Sequence, residues 1–156
     1  MLYLDSSALI KHYVQEAGSG GIKARIEAEQ GASQVFTSVL TYAEVQRVLA
    51  RKKRDKELRA REFTRARKKF DADWLFGLTS IELRSDVLVY IKNLVERFAL
   101  RALDIVQLAS ALWVRDSARL GAISASAELV VATSDKQLAR AAKECQLEVY
   151  NPEIVD

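Results

Sequence analysis

The chain is nearly empty of the residues that staple or interrupt small proteins: 156 residues contain one cysteine, one proline and one histidine. A lone Cys145 excludes an internal disulfide and fits a reducing compartment, so a cytoplasmic location is expected, with Cys145 reading as a small apolar residue of its helix. His12 without a second histidine or cysteine partner excludes the usual zinc ligand sets. No apolar stretch reaches the length of a membrane span. The opening Met1-Leu2-Tyr3-Leu4-Asp5 has neither the basic segment nor the apolar core of a signal peptide, so no membrane role is expected. Glycine is sparse as well, and Gly18-Ser19-Gly20-Gly21 lacks the lysine and terminal hydroxyl of a phosphate loop. It reads as a turn.

What is present is the mixture of a globular protein, 49% apolar and 29% charged. The length suits a single domain over residues 1–156, able to bury roughly two thirds of its unfolded surface. A net charge of +3 hides an uneven distribution. Arg47 to Lys69 holds twelve Lys or Arg against three acids, which leaves about −6 for the rest of the chain. This basic arm reads either as a solvated helical face or as a phosphate-tracking surface. In the second case Arg47, Arg51, Lys52, Lys53 and Arg54 are the candidate contacts.

Strands and helices alternate. Leu2-Tyr3-Leu4 reads as a buried strand running into a helix around Ala8 to Val14, capped by Asp5, Ser6 or Ser7. A short helix, Ile22 to Glu29, leads through Gly31 to a strand at Val35-Phe36-Thr37. Thr41-Tyr42-Ala43-Glu44 has the spacing of a capping box. Helical periodicity then continues through the basic arm, breaks near Arg54-Asp55 and resumes to Phe70, which predicts a projecting hairpin. A third strand is expected within Trp74 to Ile81, an amphipathic helix from Val87 to Phe98, and a largely buried helix from Leu103 to Val114. Leu129 to Ala132 and Leu147 to Tyr150 complete five strands around a helix at Lys136 to Glu144, and Asn151-Pro152 ends the last. The order implies a parallel α/β sheet covered on both faces.

Four carboxylates fall at strand ends or in first helical turns: Asp5, Glu44, Asp104 and Asp135. Such positions gather beyond the carboxyl edge of a parallel sheet, near the point where the winding reverses. Asp5, Asp104 and Asp135 lie in apolar surroundings, where an uncompensated charge costs several kcal/mol. Two unit charges ~4 Å apart repel by ~4 kcal/mol at an effective dielectric of 20. Either protonation or a hard divalent cation relieves that crowding. Without a His and Cys cluster, Mg²⁺ or Mn²⁺ is the natural ion, and a phosphodiester-cleaving nuclease is the natural chemistry. Ser6, Thr133 and Ser134 are positioned to orient the carboxylates or a bound water. His12 alone cannot supply the acid and base pair needed for attack by a 2′-hydroxyl, so a metal-activated water should leave 5′-phosphate and 3′-hydroxyl ends. Taken one at a time, the same acids also serve as an N-cap, a capping-box partner, a first-turn acid and a turn residue.

Four stretches resemble the PIN-domain family, specifically VapC-type toxins of toxin–antitoxin pairs. They are Tyr3-Leu4-Asp5-Ser6-Ser7-Ala8-Leu9-Ile10-Lys11, Thr41-Tyr42-Ala43-Glu44-Val45, Leu100 through Asp104 to Ala111, and Ala132-Thr133-Ser134-Asp135. The resemblance implies a three-layer α/β/α fold and a Mg²⁺- or Mn²⁺-dependent endoribonuclease. Asp5, Asp104 and Asp135 would be metal ligands, with Glu44 on a second ion or on the attacking water. It further implies a homodimer and a small antitoxin whose tail blocks the acidic cleft. Gln107 departs from the family pattern, standing where many relatives carry a histidine, and is read as touching none of the four acids. The competing functions are an inactive nucleic-acid-binding or scaffolding module and a metal-dependent DNA nuclease or phosphatase.

Overall fold

The computed structural model describes residues 1–30, 34–123 and 128–154. Its five strands are β1 (Leu2–Leu4), β2 (Val35–Ser38), β3 (Thr79–Ile81), β4 (Val130–Ala132) and β5 (Glu148–Tyr150). They form one sheet in the order β3-β2-β1-β4-β5, and every neighbouring pair is parallel. Strand β1 is therefore central. The chain winds from it to β2 and β3, then returns to its other side with β4, so the reversal lies between β1 and β4.

Seven helices cover the two faces: α1 (Ser6–Tyr13), α2 (Ser19–Gln30), α3 (Thr41–Arg54), α4 (Ala60–Phe76), α5 (Ser85–Arg97), α6 (Ala102–Arg119) and α7 (Lys136–Glu144). Because side chains alternate along a strand, consecutive residues feed different cores. Leu2, Leu4 and Val35 pack with Leu9, Ile22, Leu49 and Phe70 of α1 to α4. Tyr3, Phe36 and Val131 pack with Leu94, Ile105, Leu108 and Leu138 of α5 to α7. The expected three-layer fold is the observed one.

Local departures have physical causes. The third strand falls within the expected window, at its end, because α4 runs on to Phe76: Phe70 stacks on Tyr42 of α3 and Trp74 meets the same ring edge-on. Only Gly18 of the glycine stretch turns, at φ +82°. Ser19 opens α2 instead: its hydroxyl donates to Val14 O at 3.0 Å and accepts from Glu16 N at 2.9 Å, and Gly20 and Gly21 lie within the helix. No capping box forms at Thr41, whose hydroxyl faces Thr37 and Gln107. The break after Arg54 is observed, with Lys56 at φ +60° carrying the chain into α4. Gly31 lies outside the described residues.

Candidate active site

Asp5 leaves the end of β1 and is only 4% exposed. Its backbone amide still pairs with Ala132 O of β4 at 3.1 Å, which fixes the carboxylate at the reversal of the sheet. Three hydroxyls donate to it: Ser6 Oγ to Oδ1 at 3.2 Å, and Ser7 Oγ and Thr133 Oγ1 to Oδ2 at 2.5 and 2.8 Å. Three donors on one buried carboxylate hold it in a fixed orientation.

Thr133 links two acids. While donating to Asp5, its hydroxyl accepts the amide of Asp135 at 3.0 Å. Asp135 caps α7, with Oδ1 accepting the amides of Gln137 at 2.8 Å and Leu138 at 2.9 Å, so Oδ2 is the oxygen left for a ligand. Ser134 meets the cluster through its backbone. Its amide donates to Ser7 Oγ at 2.9 Å, whereas its hydroxyl is buried and has no hydrogen-bond partner among the described residues.

Asp104 and Glu44 complete the cluster from α6 and α3. Burial pushes the Asp104 carboxyl up, and the charges of Asp135 and Asp5 add to this, with Arg101 opposing. Burial likewise raises Glu44; Gln107 and Ser6 offset part of that rise, while Asp5 and Asp104 increase it. The four acids thus feel one another across a single edge of the sheet. Among the described residues, no three acids, histidines or cysteines close into a ready ligand shell as placed. The donors are nevertheless all oxygen, two resist ionisation, and Asp135 offers an uncommitted oxygen. Such a set fits a hard divalent cation.

Gln107 corrects the sequence reading, because it does touch a site acid. Its Nε2 donates to Glu44 Oε2 and to Thr41 Oγ1, both at 2.9 Å, while its Oε1 accepts from Tyr3 Oη at 2.8 Å. Thr37 Oγ1 donates to Thr41 Oγ1 at 2.8 Å, extending the network to β2. Sequence reasoning missed Ser7, Thr41 and Tyr3 in this setting. The available signal was spacing: Gln107 lies one turn beyond Asp104 on the same face of α6.

Of the proposed phosphate contacts, Arg47, Arg51, Lys53 and Arg54 are exposed. Lys53 lies over the Phe63 ring at 4.6 Å. Lys52 is engaged elsewhere, 3.3 Å from Glu16 and 2.9 Å from Glu57, and serves to pin α3 to its neighbours. His12 packs between α1 and α4, 3.4 Å from Asp73, as its helix-packing reading anticipates.

The model of the PIN domain family matches residues 2–144. Ribonuclease VapC45 of Mycobacterium tuberculosis is 32% identical over 138 residues, covering 88% of this chain and 86% of that protein. Among solved structures, FitAcB from Neisseria gonorrhoeae superposes with a TM-score of 0.65 at 16% identity, covering 99% of this chain and 100% of that one. A toxin–antitoxin complex from Klebsiella pneumoniae gives 0.58 at 19% identity, covering 99% and 100%. With the acids at the reversal of a five-stranded parallel sheet and the family match running through nearly the whole sequence, the chain belongs to the PIN domain family, in its VapC-type branch.

Proposed function

We propose that this protein is a divalent-metal-dependent endoribonuclease and the toxin of a toxin–antitoxin pair. The observation that carries the reading is the coupling of Asp5 to Asp135 through one threonine hydroxyl, with Asp104 and Glu44 both pushed toward protonation by burial and by the charges beside them. The 32% identity to a ribonuclease across 88% of the chain supports RNA as the substrate.

Asp5, Asp104 and Asp135 are the residues that would hold Mg²⁺ or Mn²⁺. When bound, such an ion neutralises the cluster, polarises a phosphoryl oxygen and lowers the pKa of water. The protein residues do the remainder. Ser6, Ser7 and Thr133 keep Asp5 from rotating, and the α7 cap does the same for Asp135. Gln107 holds Glu44 by Oε2, leaving Oε1 to orient a water and take its proton as it attacks phosphorus. A raised proton affinity suits Glu44 to that task. The bond to the 3′-oxygen breaks and that oxygen takes up a proton from solvent, leaving 3′-hydroxyl and 5′-phosphate ends.

The partners that follow are a small antitoxin and a second copy of the chain. The toxin–antitoxin complex among the similar structures supports the first. Large exposed apolar side chains, including Leu75, Phe76, Leu88, Val89 and Leu120, provide surface for protein contacts. Cleavage of cellular RNA by the native protein with Mg²⁺, lost in EDTA and in Asp104→Asn, is the expected result. Cyclic phosphate ends, or equal cleavage by Asp104→Asn, would refute the mechanism.

A further inference from the structure

The basic hairpin distributes its charges over faces that are not equivalent. On α3, Val45 and Leu49 are buried, and Gln46 and Lys53 turn toward α4, meeting Asp71 and the Phe63 ring. At 3.6 residues per turn, the edge opposite α4 carries Glu44, Arg47, Arg51 and Arg54. Arg51 stands two turns from Glu44 along the axis, about 10 Å, and Arg54 about 15 Å. All three arginines are exposed. Lys52, Arg67 and Lys69 of the same hairpin are instead paired with Glu16 and Glu57, Asp71 and Asp73. A last-turn cation of any kind would satisfy the dipole of α3. That does not account for Arg47, in mid-helix, or for an all-arginine row whose planar forks suit phosphate.

We infer that this row is the track of the RNA strand, with Arg47, Arg51 and Arg54 binding successive phosphates on one side of the cut and leading them to Glu44. The inference rests on the endoribonuclease reading above. Four clustered acids repel a polyanion, so a strand entering the site needs cationic contacts immediately outside it. The row supplies them, and because it reads phosphate it does so without regard to base sequence.

The test is binding of a fluorescein-labelled single-stranded oligoribonucleotide to the full chain in EDTA, as a function of salt. The row variant is Arg47→Gln/Arg51→Gln/Arg54→Gln. Its control removes equal charge from the outer face of α4, as Arg61→Gln/Arg65→Gln/Lys68→Gln, where these residues line a shallow surface with Ala60 and Thr64. The row variant should lose affinity on the order of tenfold or more at low salt, and the slope of log affinity against log salt should flatten by about 2. The control should keep both close to native, whereas a triple Arg→Lys row variant should keep the salt slope, its charge being unchanged, and lose part of the affinity with the planar forks. Melting temperatures of all variants should match the native protein. Equal losses in row and control would overturn the track in favour of bulk charge. An unchanged row variant would overturn it and leave the row to a protein partner. Native protein that binds RNA but leaves it intact with Mg²⁺ refutes the nuclease reading, and native protein that does not bind RNA in EDTA refutes the track while cleavage with Mg²⁺ still decides the nuclease reading.

Discussion

Gln107 Nε2 donates to Glu44 Oε2 at 2.9 Å, while the same side-chain amide accepts from Tyr3 Oη at 2.8 Å. Glu44 is thereby positioned from the central strand as well as from its own helix. Each polar atom of this buried amide has a partner, the condition under which such a network rigidifies a site rather than weakening it.

Removing the amide should therefore cost both stability and rate. Gln107→Leu strands the Tyr3 hydroxyl and one face of Thr41, for a loss of about 1–3 kcal/mol in urea unfolding. Cleavage should slow by one to two orders of magnitude with little change in KM, since Glu44 acts on water rather than on the strand. Tyr3→Phe should reproduce the direction of both effects more weakly. Native rates in Gln107→Leu would remove the amide from the mechanism.

Asp104→Asn should abolish cleavage and still stabilise the metal-free protein. The substitution deletes a charge that Asp135, Asp5 and Glu44 all oppose. A gain near 1 kcal/mol corresponds to about 2–4 °C in a chain of this size, measurable by thermal melting in EDTA.

The same repulsion sets a pH dependence. Glu44 and Asp104 have raised folded-state pKa values, so between the ordinary carboxylate range and those raised values the native state holds more protons than the unfolded state. Stability conferred by these groups is present at low pH and is lost as pH rises through that window. Asp73 works in the opposite sense: its carboxyl is held below the usual range by His12 and Lys69 against the cost of its burial, so its contribution is lost as pH falls. Melting curves with and without Mg²⁺ separate the two. The cation should stabilise at neutral pH, and its effect should fade as pH falls through the raised range in which Glu44 and Asp104 take up protons.

Lys52 offers a test on the basic arm itself. Its pairing with Glu16 and Glu57 holds α3 to the segment between α1 and α2 and to the hairpin turn. Lys52→Gln should lower stability by about 1 kcal/mol and leave the salt dependence of RNA binding unchanged. Arg51→Gln should do the reverse. A flattened salt slope in Lys52→Gln would return Lys52 to the RNA surface.

Sequence alone determined the succession of five strands and the helices between them, because periods of 2 and 3.6 residues are properties of consecutive side chains. It also singled out Asp5, Asp104 and Asp135, since an acid beside an apolar run is conspicuous without any fold, and Glu44 by its place in the first turn of a helix. Only the tertiary structure decided what those acids touch. Thr41 and Glu44 have capping-box spacing, yet Thr37 and Gln107 claim the threonine and Gln107 claims the glutamate, from β2 and α6. Lys52 matched its basic neighbours until Glu16, 36 residues earlier in the chain, came within 3.3 Å. Ser7 and Thr133, 126 residues apart, meet over Asp5 because β1 and β4 are adjacent. Hydrogen bonds and ion pairs select partners by distance in space, and local pattern carries no record of which distant segment the packed sheet will bring alongside.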